Sequence, residues 1–295
     1  MSTKKKKYKD ILFEVKDQVA WITINRPRVM NAFREQSLDE MIEAVKSTRE
    51  DPSIACIVFQ GAGNQAFSAG GDFYAMKRLT FTNAAMWNDR MLGLAMAIRG
   101  VPIPVIAKVN GWCMGGGHEL ALWCDLVIAS EKSMLGQTGA KVGACPTVGA
   151  TQYLPRIIGE RLAREMIFLA RRFTAAEAEK IGLINKCVPE DKLDEETLAW
   201  CETIKGHSSQ TIRMTKKSLN MESDQLYGSW QQGMELLAHV WGSEESLEGM
   251  NAFLEGRKPD FQKFRLRNKA ALEEYLDGFH RHLNAPPDMR NFPED

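Results

Sequence analysis

The sequence has no surplus of charge of either sign and no long apolar stretch. Its 295 residues include 38 Lys and Arg against 38 Asp and Glu, so the formal net charge is zero. Binding to nucleic acid or to an anionic membrane surface would favour a basic surplus. A helix that crosses a bilayer needs roughly 18 or more apolar residues, and no segment of this sequence approaches that length. We therefore expect neither nucleic acid nor a membrane as the main partner.

Paired cysteines and a secretion signal are missing as well. The lysine-rich start of the chain is not followed by the apolar segment of a signal peptide. The six cysteines form no CxxC pair and have no spacing to histidine that is typical of a metal site. They are Cys56, Cys113, Cys124, Cys145, Cys187 and Cys201. This pattern predicts a reduced, cytoplasmic protein with buried thiols and no metal ion.

The first 160 residues alternate short β-rich runs with helical patterns. Hydrophobic residues make up 44% of the whole chain, which is enough for a sizeable core. The alternation is typical of a layered α/β fold. The predicted strands are residues 11–15 and 19–24 (a hairpin), 55–60, 105–109 and 126–129, and the predicted helices are residues 37–49 and 120–124.

After residue 159 the pattern becomes mostly helical. Thr174 and Glu177 form a capping-box pattern that opens a helix ending near Gly182. Further helices are predicted at residues 161–170, 194–205, 209–221, 227–240, 243–253 and 269–283. We therefore divide the chain into an α/β core at 8–200, a helical region at 201–264 and a C-terminal extension at 265–295, to which the sequence assigns no function.

Two glycine clusters are the first signs of a chemical function. One runs Phe67-Ser-Ala-Gly-Gly-Asp72, and the other ends Gly115-Gly-Gly-His-Glu119, where a strand runs into a helix. Glycine turns are common without function, but they also let a ligand approach main-chain N–H groups that stabilise an oxyanion. The N-terminus of a helix adds unpaired donors and a favourable dipole. Neither cluster has the GxxxxGK[ST] or GxGxxG spacing of a nucleotide-binding loop.

In their order along the chain, these segments resemble the crotonase (enoyl-CoA hydratase/isomerase) superfamily. The resemblance covers roughly residues 8–264. Its motifs are Ile22-Thr-Ile-Asn-Arg-Pro27, Asn31-Ala32, the 68–72 loop, Pro104-Val-Ile-Ala107, Gly115 to Glu119, Cys124-Asp125 and residues 253–264. The resemblance implies a spiral of ββα units followed by helices that assemble homotrimers or hexamers.

The resemblance also implies an acyl-CoA substrate and no separate cofactor, because CoA is part of the thioester. By motif position, the N–H groups of Gly71 and Gly116 hold the thioester oxygen. Arg28 matches a basic position that contacts CoA. Lys258 and Lys263 resemble residues that reach a neighbouring subunit's CoA, although exposed lysines are often only solvating. The other loop residues expected at the substrate are Ser68, Ala69, Gly70 and Asp72.

Of the two catalytic glutamates of the hydratases, one is present and the other is missing. Glu119 stands at the position of the first, where it can move a proton beside the enolate or merely satisfy the helix dipole. Hydratases carry Gly-Gln-Pro-Glu where this chain has Gly136-Gln-Thr-Gly139, so Gly139 replaces the second. This form resembles members that make or break carbon–carbon bonds in rings, namely 1,4-dihydroxy-2-naphthoyl-CoA synthases and oxo-cyclic acyl-CoA hydrolases.

Three departures separate these ring-acting groups. The naphthoyl-CoA synthases carry an aspartate where this chain has Pro146, a tyrosine where it has Trp241, and no glutamate at the position of Glu119. The run from Gly143 to Pro155 looks more like the 6-oxocyclohex-1-ene-1-carbonyl-CoA hydrolases, which retain the glutamate.

At four further positions a functional interpretation competes with ordinary packing or loop bonding. Gln137 either orients a water or a ring carbonyl, or bonds only to its own loop. Met76 and Trp87 suit a bulky apolar acyl group, or they belong to ordinary helix packing. His118 is expected to pack away from Glu119 on the helix.

The leading hypothesis is hydrolytic carbon–carbon cleavage of a cyclic oxo-acyl-CoA. One alternative is an enoyl-CoA hydratase that acts on a cyclic or linear unsaturated acyl-CoA. The other is a non-catalytic acyl-CoA-binding protein.

Overall fold

The computed structural model describes residues 7–284. Most of the lysine-rich start and the last eleven residues of the C-terminal extension lie outside the described part of the chain. The described part of the chain contains ten strands: β1 (Ile11–Lys16), β2 (Val19–Ile24), β3 (Cys56–Gly61), β4 (Ala66–Ser68), β5 (Val105–Val109), β6 (Trp112–Met114), β7 (Leu126–Ser130), β8 (Met134–Gly136), β9 (Arg172–Thr174) and β10 (Lys186–Val188).

The strands form two sheets. The larger sheet has the order β1-β2-β3-β5-β7-β10, and only its β1–β2 pair is antiparallel. The smaller sheet has the order β4-β6-β8-β9, and only its β8–β9 pair is antiparallel. The predicted hairpin is confirmed: β1 and β2 are joined at Asp17 and Gln18, whose φ angles of 51° and 65° fit a tight two-residue turn.

The chain winds as a spiral in which each turn adds one strand to each sheet. The long strands β3, β5 and β7 enter the larger sheet, and the short strands β4, β6 and β8 that follow them enter the smaller one. Helices close each turn and bury their apolar sides against the strands. The α/β fold and the spiral of ββα units expected from the sequence are therefore confirmed.

Helices cover the sheets and make up most of the chain after residue 192. They are α1 (Glu35–Ser47), α2 (Phe73–Met76), α3 (Ala84–Gly100), α4 (Gly116–Trp123), α5 (Ala150–Ile158), α6 (Glu160–Phe168), α7 (Ala175–Lys180), α8 (Leu193–Lys205), α9 (Ser209–Asp224), α10 (Tyr227–Val240), α11 (Glu244–Leu254) and α12 (Gln262–Asn284). Within residues 7–284 none of them is long and apolar enough to cross a bilayer.

Two helix starts test the sequence patterns directly. The capping box of α7 is present: Glu177 N–H donates to Thr174 Oγ1 at 3.2 Å, and Thr174 N–H donates to Glu177 Oε2 at 2.9 Å. The helix predicted in the C-terminal extension also forms, but it begins at Gln262 rather than at residue 269. Polar residues such as Lys263 and Arg267 lie on its first turns, and they mask the helical period in the sequence.

One buried ion pair attaches α9 to the core. Lys216 Nζ donates to the carbonyls of Ile98 and Ile103 and lies 2.6 Å from Asp125 Oδ2. The same carboxylate oxygen accepts the N–H of Val105, the first residue of β5. The ammonium therefore satisfies three acceptors at once, and it ties the helical region to the start of a central strand.

Replacing Lys216 by methionine should destabilise the protein by about 3 kcal/mol. Removing one partner of a buried pair typically costs about 3–5 kcal/mol, and the low end applies because the Asp125 side chain keeps 26% exposure. The measurement is the free energy of unfolding in urea, with Lys217→Met on the exposed neighbouring residue as the control. Equal stability of the two variants would contradict an anchoring role for Lys216.

Candidate active site

Three neighbouring parallel strands of the smaller sheet end at one place. Gly71 follows β4, Gly116 follows β6, and Gln137 follows β8. Because the carboxyl ends of parallel strands lie at the same edge of a sheet, residues that are far apart in the sequence meet there. The two glycine clusters and Gln137 are thus brought together by the order of three very short strands.

The backbone of Phe33 directs the N–H of Gly71. Phe33 N–H donates to Gly70 O, and Phe33 O accepts from Asp72 N–H, both at 2.9 Å, in a parallel bridge to Gly71. Backbone groups alternate in direction along an extended segment, so the N–H of Gly71 faces away from Phe33. It forms no hydrogen bond within residues 7–284. Gly71 therefore offers a free donor.

Gly116 is the first residue of α4, so its N–H has no partner within the helix. The loops that follow β4 and β6 pack tightly against each other here: a Cβ added to Gly116 would meet Phe33 Cζ at 2.8 Å, and one added to Gly70 would meet Gly116 N at 2.9 Å. Gly70 also has a φ of 96°, a conformation that L side chains rarely adopt. Glycine at these positions lets the two loops approach closely enough to present two N–H groups together.

The other residues of the first loop hold its shape. Ser68 is fully buried, and its Oγ donates to Asn31 O at 2.9 Å and accepts from Gly70 N–H at 3.1 Å. Asp72 caps α2 through Tyr74 N–H at 2.9 Å. Its other oxygen accepts from Arg26 at 2.8 Å. Ala69 is exposed, and its N–H donates to Met30 O. Contact of these four predicted residues with CoA stays a prediction.

Glu119 lies one helical turn beyond Gly116, so both face the same side of α4. Its side chain is buried, and Oε1 accepts the N–H of Val148 at 2.9 Å. Burial raises the pKa of Glu119 to about 8, against the opposing effect of hydrogen bonds from Ala150 and Val148. Near neutral pH this carboxyl is poised between its acid and base forms.

Gln137 is oriented by Gly115 and His118. Its Nε2 lies 3.3 Å from Gly115 O and 3.1 Å from His118 Nδ1. A carbonyl oxygen only accepts, so this atom is the amide nitrogen and it donates to Nδ1 as well. Burial lowers the pKa of His118 to about 4, so the ring is neutral and carries its proton on Nε2. Gln137 Oε1 is consequently left as a buried acceptor without a partner in the described chain.

These groups surround a cavity of about 70 Å³. Glu119 is the one carboxylate among the described residues that line it. The other lining residues are Phe33, Gly71, Met76, Trp87, Met91, Gly115, Gly116, Gln137, Gly139, Ala144, Cys145, Pro146, Val148, Leu237 and Trp241. Met76 partly fills the space above the first donor, because a Cβ at Gly71 would overlap its Sδ.

The predicted CoA-binding cations do not reach this cavity. Arg28 is exposed on a short 3₁₀ turn, and Lys258 is exposed as well. Lys263 Nζ lies 3.4 Å from Glu248 Oε2 and 4.9 Å from the ring of Phe264. Their roles toward CoA stay predictions. Within residues 7–284, no group of three His, Cys, Asp or Glu side chains could hold a metal ion.

Phe33 is the functional residue that sequence reasoning missed. Its main chain orients Gly71, and its ring packs against Gly116. It directly follows the Asn31-Ala32 motif, so its position was a signal, but its partners lie about 40 and 80 residues further along the chain. Leu237 was missed as well, because it comes from the helical region rather than from a motif.

The chain matches a known family model and several solved structures. The family model described as enoyl-CoA hydratase/isomerase matches residues 14–264. An enoyl-CoA hydratase from Mycobacterium avium subsp. paratuberculosis K-10 is 26% identical with a TM-score of 0.79, and covers 86% of this chain and 99% of its own. An enoyl-CoA hydratase from Bacillus anthracis is 31% identical with a TM-score of 0.70, with the same coverage of 86% and 99%.

An enoyl-CoA hydratase/isomerase from Xanthobacter autotrophicus Py2 is similar as well, at 29% identity and a TM-score of 0.76, covering 86% of this chain and 100% of its own. The family match spans most of the chain and contains both glycine loops and Glu119. The protein therefore belongs to the enoyl-CoA hydratase/isomerase family of acyl-CoA-processing enzymes.

Proposed function

We propose that the protein hydrolyses a carbon–carbon bond in a cyclic β-oxo acyl-CoA. The observation that carries the proposal is the set of groups around the cavity: two free N–H donors, one carboxylate and no second carboxylate among the lining residues. Gly139 stands where a two-glutamate hydratase has its second acid. The site is thus equipped to stabilise an enolate and to activate one water.

In the proposed reaction, Glu119 takes a proton from water as its oxygen attacks the ring ketone carbon. The bond between that carbon and the α-carbon then breaks, and its electron pair forms the thioester enolate. Gly71 and Gly116 hold the enolate oxygen. Glu119 returns the proton to the α-carbon, and the new carboxylic acid loses its proton to solvent. The product is a ring-opened acyl-CoA with one free carboxylate.

The electrostatics of the cavity suit this sequence of steps. With a pKa of about 8, Glu119 is a stronger base than an exposed glutamate once it is ionised, and a ready acid once it is protonated. The two N–H donors act beside the buried side chains of Glu119 and Gln137, and in such a site each donor is worth about 3–4 kcal/mol toward the transition state.

The cavity must open before a ring can enter. Its volume of about 70 Å³ is well below the roughly 300–1,000 Å³ of ordinary ligand pockets. Met76 is the side chain best placed to move, because it lies over Gly71 on the four-residue helix α2. Methionine has three rotatable bonds and adapts to irregular ligands. We propose that the acyl group displaces it.

A second candidate function is hydration by Glu119 alone. Two of the solved structures most similar to the chain carry the name enoyl-CoA hydratase, which favours this chemistry for a linear or cyclic unsaturated acyl-CoA. A third candidate is acyl-CoA binding without catalysis. The buried, oriented Glu119 beside two free donors supports catalysis over binding alone.

Restoring a glutamate at residue 139 does not separate these candidates. A Cβ at Gly139 would lie 2.5 Å from Ala144 O, which is backbone. Loss of activity in Gly139→Glu would then reflect a distorted loop rather than a second carboxylate. Substrate comparison with the unaltered chain is the sharper experiment.

For assembly, we propose homotrimers or hexamers. The helical region leaves large apolar side chains exposed, including Met214, Leu219, Met221, Leu236 and Phe253. Exposed apolar surface of this kind is typical of protein interfaces. Lys258 and Lys263 would then reach the CoA of a neighbouring subunit.

Glu119→Gln should lower kcat by roughly 10²–10⁴-fold while CoA affinity stays nearly unchanged. The wild-type kcat/KM should rise about tenfold per pH unit below about pH 8 and level off above it, because the ionised carboxylate activates water and burial raises the pKa of Glu119 to about 8. Steady-state kinetics across pH measures both, with exposed Glu131→Gln as the control. A rate that falls as pH rises through 8 would contradict the water-activating role.

Incubation with a panel of acyl-CoAs should give the fastest turnover on a cyclic β-oxo thioester and slow turnover on crotonyl-CoA. Water addition and hydrolytic ring opening both add the mass of one water. The products are therefore compared by chromatography with authentic hydroxyacyl and ring-opened standards. Hydration of crotonyl-CoA above about 10 s⁻¹ would replace ring cleavage by the hydratase reaction.

Sedimentation velocity should give the mass of a trimer or hexamer. In the assembled protein, Lys258→Ala and Lys263→Ala should weaken CoA binding, whereas Lys217→Ala on the exposed face of α9 should not. A fully active monomer would exclude both the assembly and these lysine roles.

A further inference from the structure

Five buried side-chain polar atoms have no hydrogen-bond partner within residues 7–284. Two of them belong to residues that line the cavity, namely the acceptor Gln137 Oε1 and the donor Trp241 Nε1. The other three are Asn88 Oδ1, Thr147 Oγ1 and Ser246 Oγ. Buried tryptophan N–H groups usually find a partner, and an unpaired one calls for an explanation such as a bound ligand.

We infer that Trp241 Nε1–H and Gln137 Oε1 form a second polar site, which binds a carbonyl group of the acyl chain and the water that attacks it. The inference rests on the proposed function and names the feature of the substrate that the site selects. Trp241 donates to the ring ketone oxygen, and Gln137 accepts a hydrogen from the water.

The two side chains that line the cavity come from different regions of the chain. Gln137 follows β8 in the core, whereas Trp241 directly follows α10 in the helical region, and its N–H group on the main chain bonds to Leu237 O. Trp241 keeps only 4% exposure, so bulk water does not satisfy its indole N–H. A ligand oxygen inside the cavity is the partner that the fold leaves open.

Gln137 cannot change its role easily. Its amide nitrogen is held by Gly115 O and by neutral His118. Turning the amide over would set its oxygen against the carbonyl of Gly115, where two acceptors repel. The acceptor therefore stays fixed, and it matches a water or hydroxyl rather than a carbonyl. The buried donor of Trp241 and the fixed acceptor of Gln137 together fit a ketone that is attacked by water.

The same pair disfavours a short linear enoyl thioester. Such a substrate has no oxygen beyond the thioester, so its entry would leave Trp241 Nε1 and Gln137 Oε1 desolvated and unpaired. Sites built to hydrogen-bond a polar group strongly reject analogues that lack it. As negative charge develops on the attacked ketone oxygen, the indole N–H stabilises it in the manner of an oxyanion-hole donor.

The test compares the affinities of two ligands for a variant in which turnover is strongly reduced. In the Glu119→Gln background, isothermal titration measures Kd for 2-oxocyclohexanecarbonyl-CoA and for cyclohexanecarbonyl-CoA. The oxo ligand should bind roughly tenfold more tightly, the scale for pairing a buried donor. Adding Trp241→Phe should remove this preference and leave the affinity for the ligand without the oxo group nearly unchanged. Adding Trp87→Phe instead, in the same cavity, should keep the preference.

A second variant separates the N–H group from the shape of the ring. Benzothienylalanine at position 241 keeps two fused rings and replaces the N–H by sulfur, so it should lose the preference as Trp241→Phe does. Preference retained in either replacement, or no preference with Trp241 present, overturns the inference. Product analysis of the wild type tests the proposed reaction separately. A Trp241-dependent preference without ring opening would support this polar site and reject the proposed reaction.

Discussion

The close approach of two glycine loops at one edge of the smaller sheet is the constraint on which the site depends. Gly70 and Gly116 leave no room for a Cβ between the loops, and Phe33 holds both of them. The result is a pair of N–H groups that form no hydrogen bond in the described chain. Unpaired backbone donors cost free energy unless a ligand uses them, so the fold leaves two donors available to a ligand oxygen at this point.

Burial shifts the pKa of two titratable groups near that pair. It raises the pKa of Glu119 and lowers the pKa of His118, so both side chains are neutral for much of the time near pH 7. A neutral His118 accepts the amide N–H of Gln137 and fixes that side chain. The low dielectric of the buried site thus sets the pKa of Glu119 and, through neutral His118, the orientation of Gln137. It also strengthens the electrostatic effect of the two N–H donors.

The helical region contributes to the cavity as well as to the surface. Leu237 and Trp241 complete a wall that the α/β core leaves open, and the Lys216–Asp125 pair fastens α9 to the start of β5. Movement of these helices relative to the core would therefore change the shape of the cavity. This coupling gives a physical reason for specificity to depend on residues far from the glycine motifs.

The sequence by itself determined the α/β class, the long strands, most of the helices and the identity of the two glycine loops. Those features follow from local patterns: the period of apolar residues, capping residues such as Thr174, and glycine at a strand–helix junction. The expected position of Glu119 beside the second loop also follows from spacing, because three residues make almost one helical turn from Gly116.

Only the tertiary structure decided which of these parts meet. Strands β4, β6 and β8 have three residues each, too few to show a period, yet their order brings Gly71, Gly116 and Gln137 to one edge. The burial that raises the pKa of Glu119 and the unpaired N–H of Trp241 depend on contacts between segments far apart in the chain. Local sequence carries no record of such contacts, because they arise only when the core and the helical region pack together.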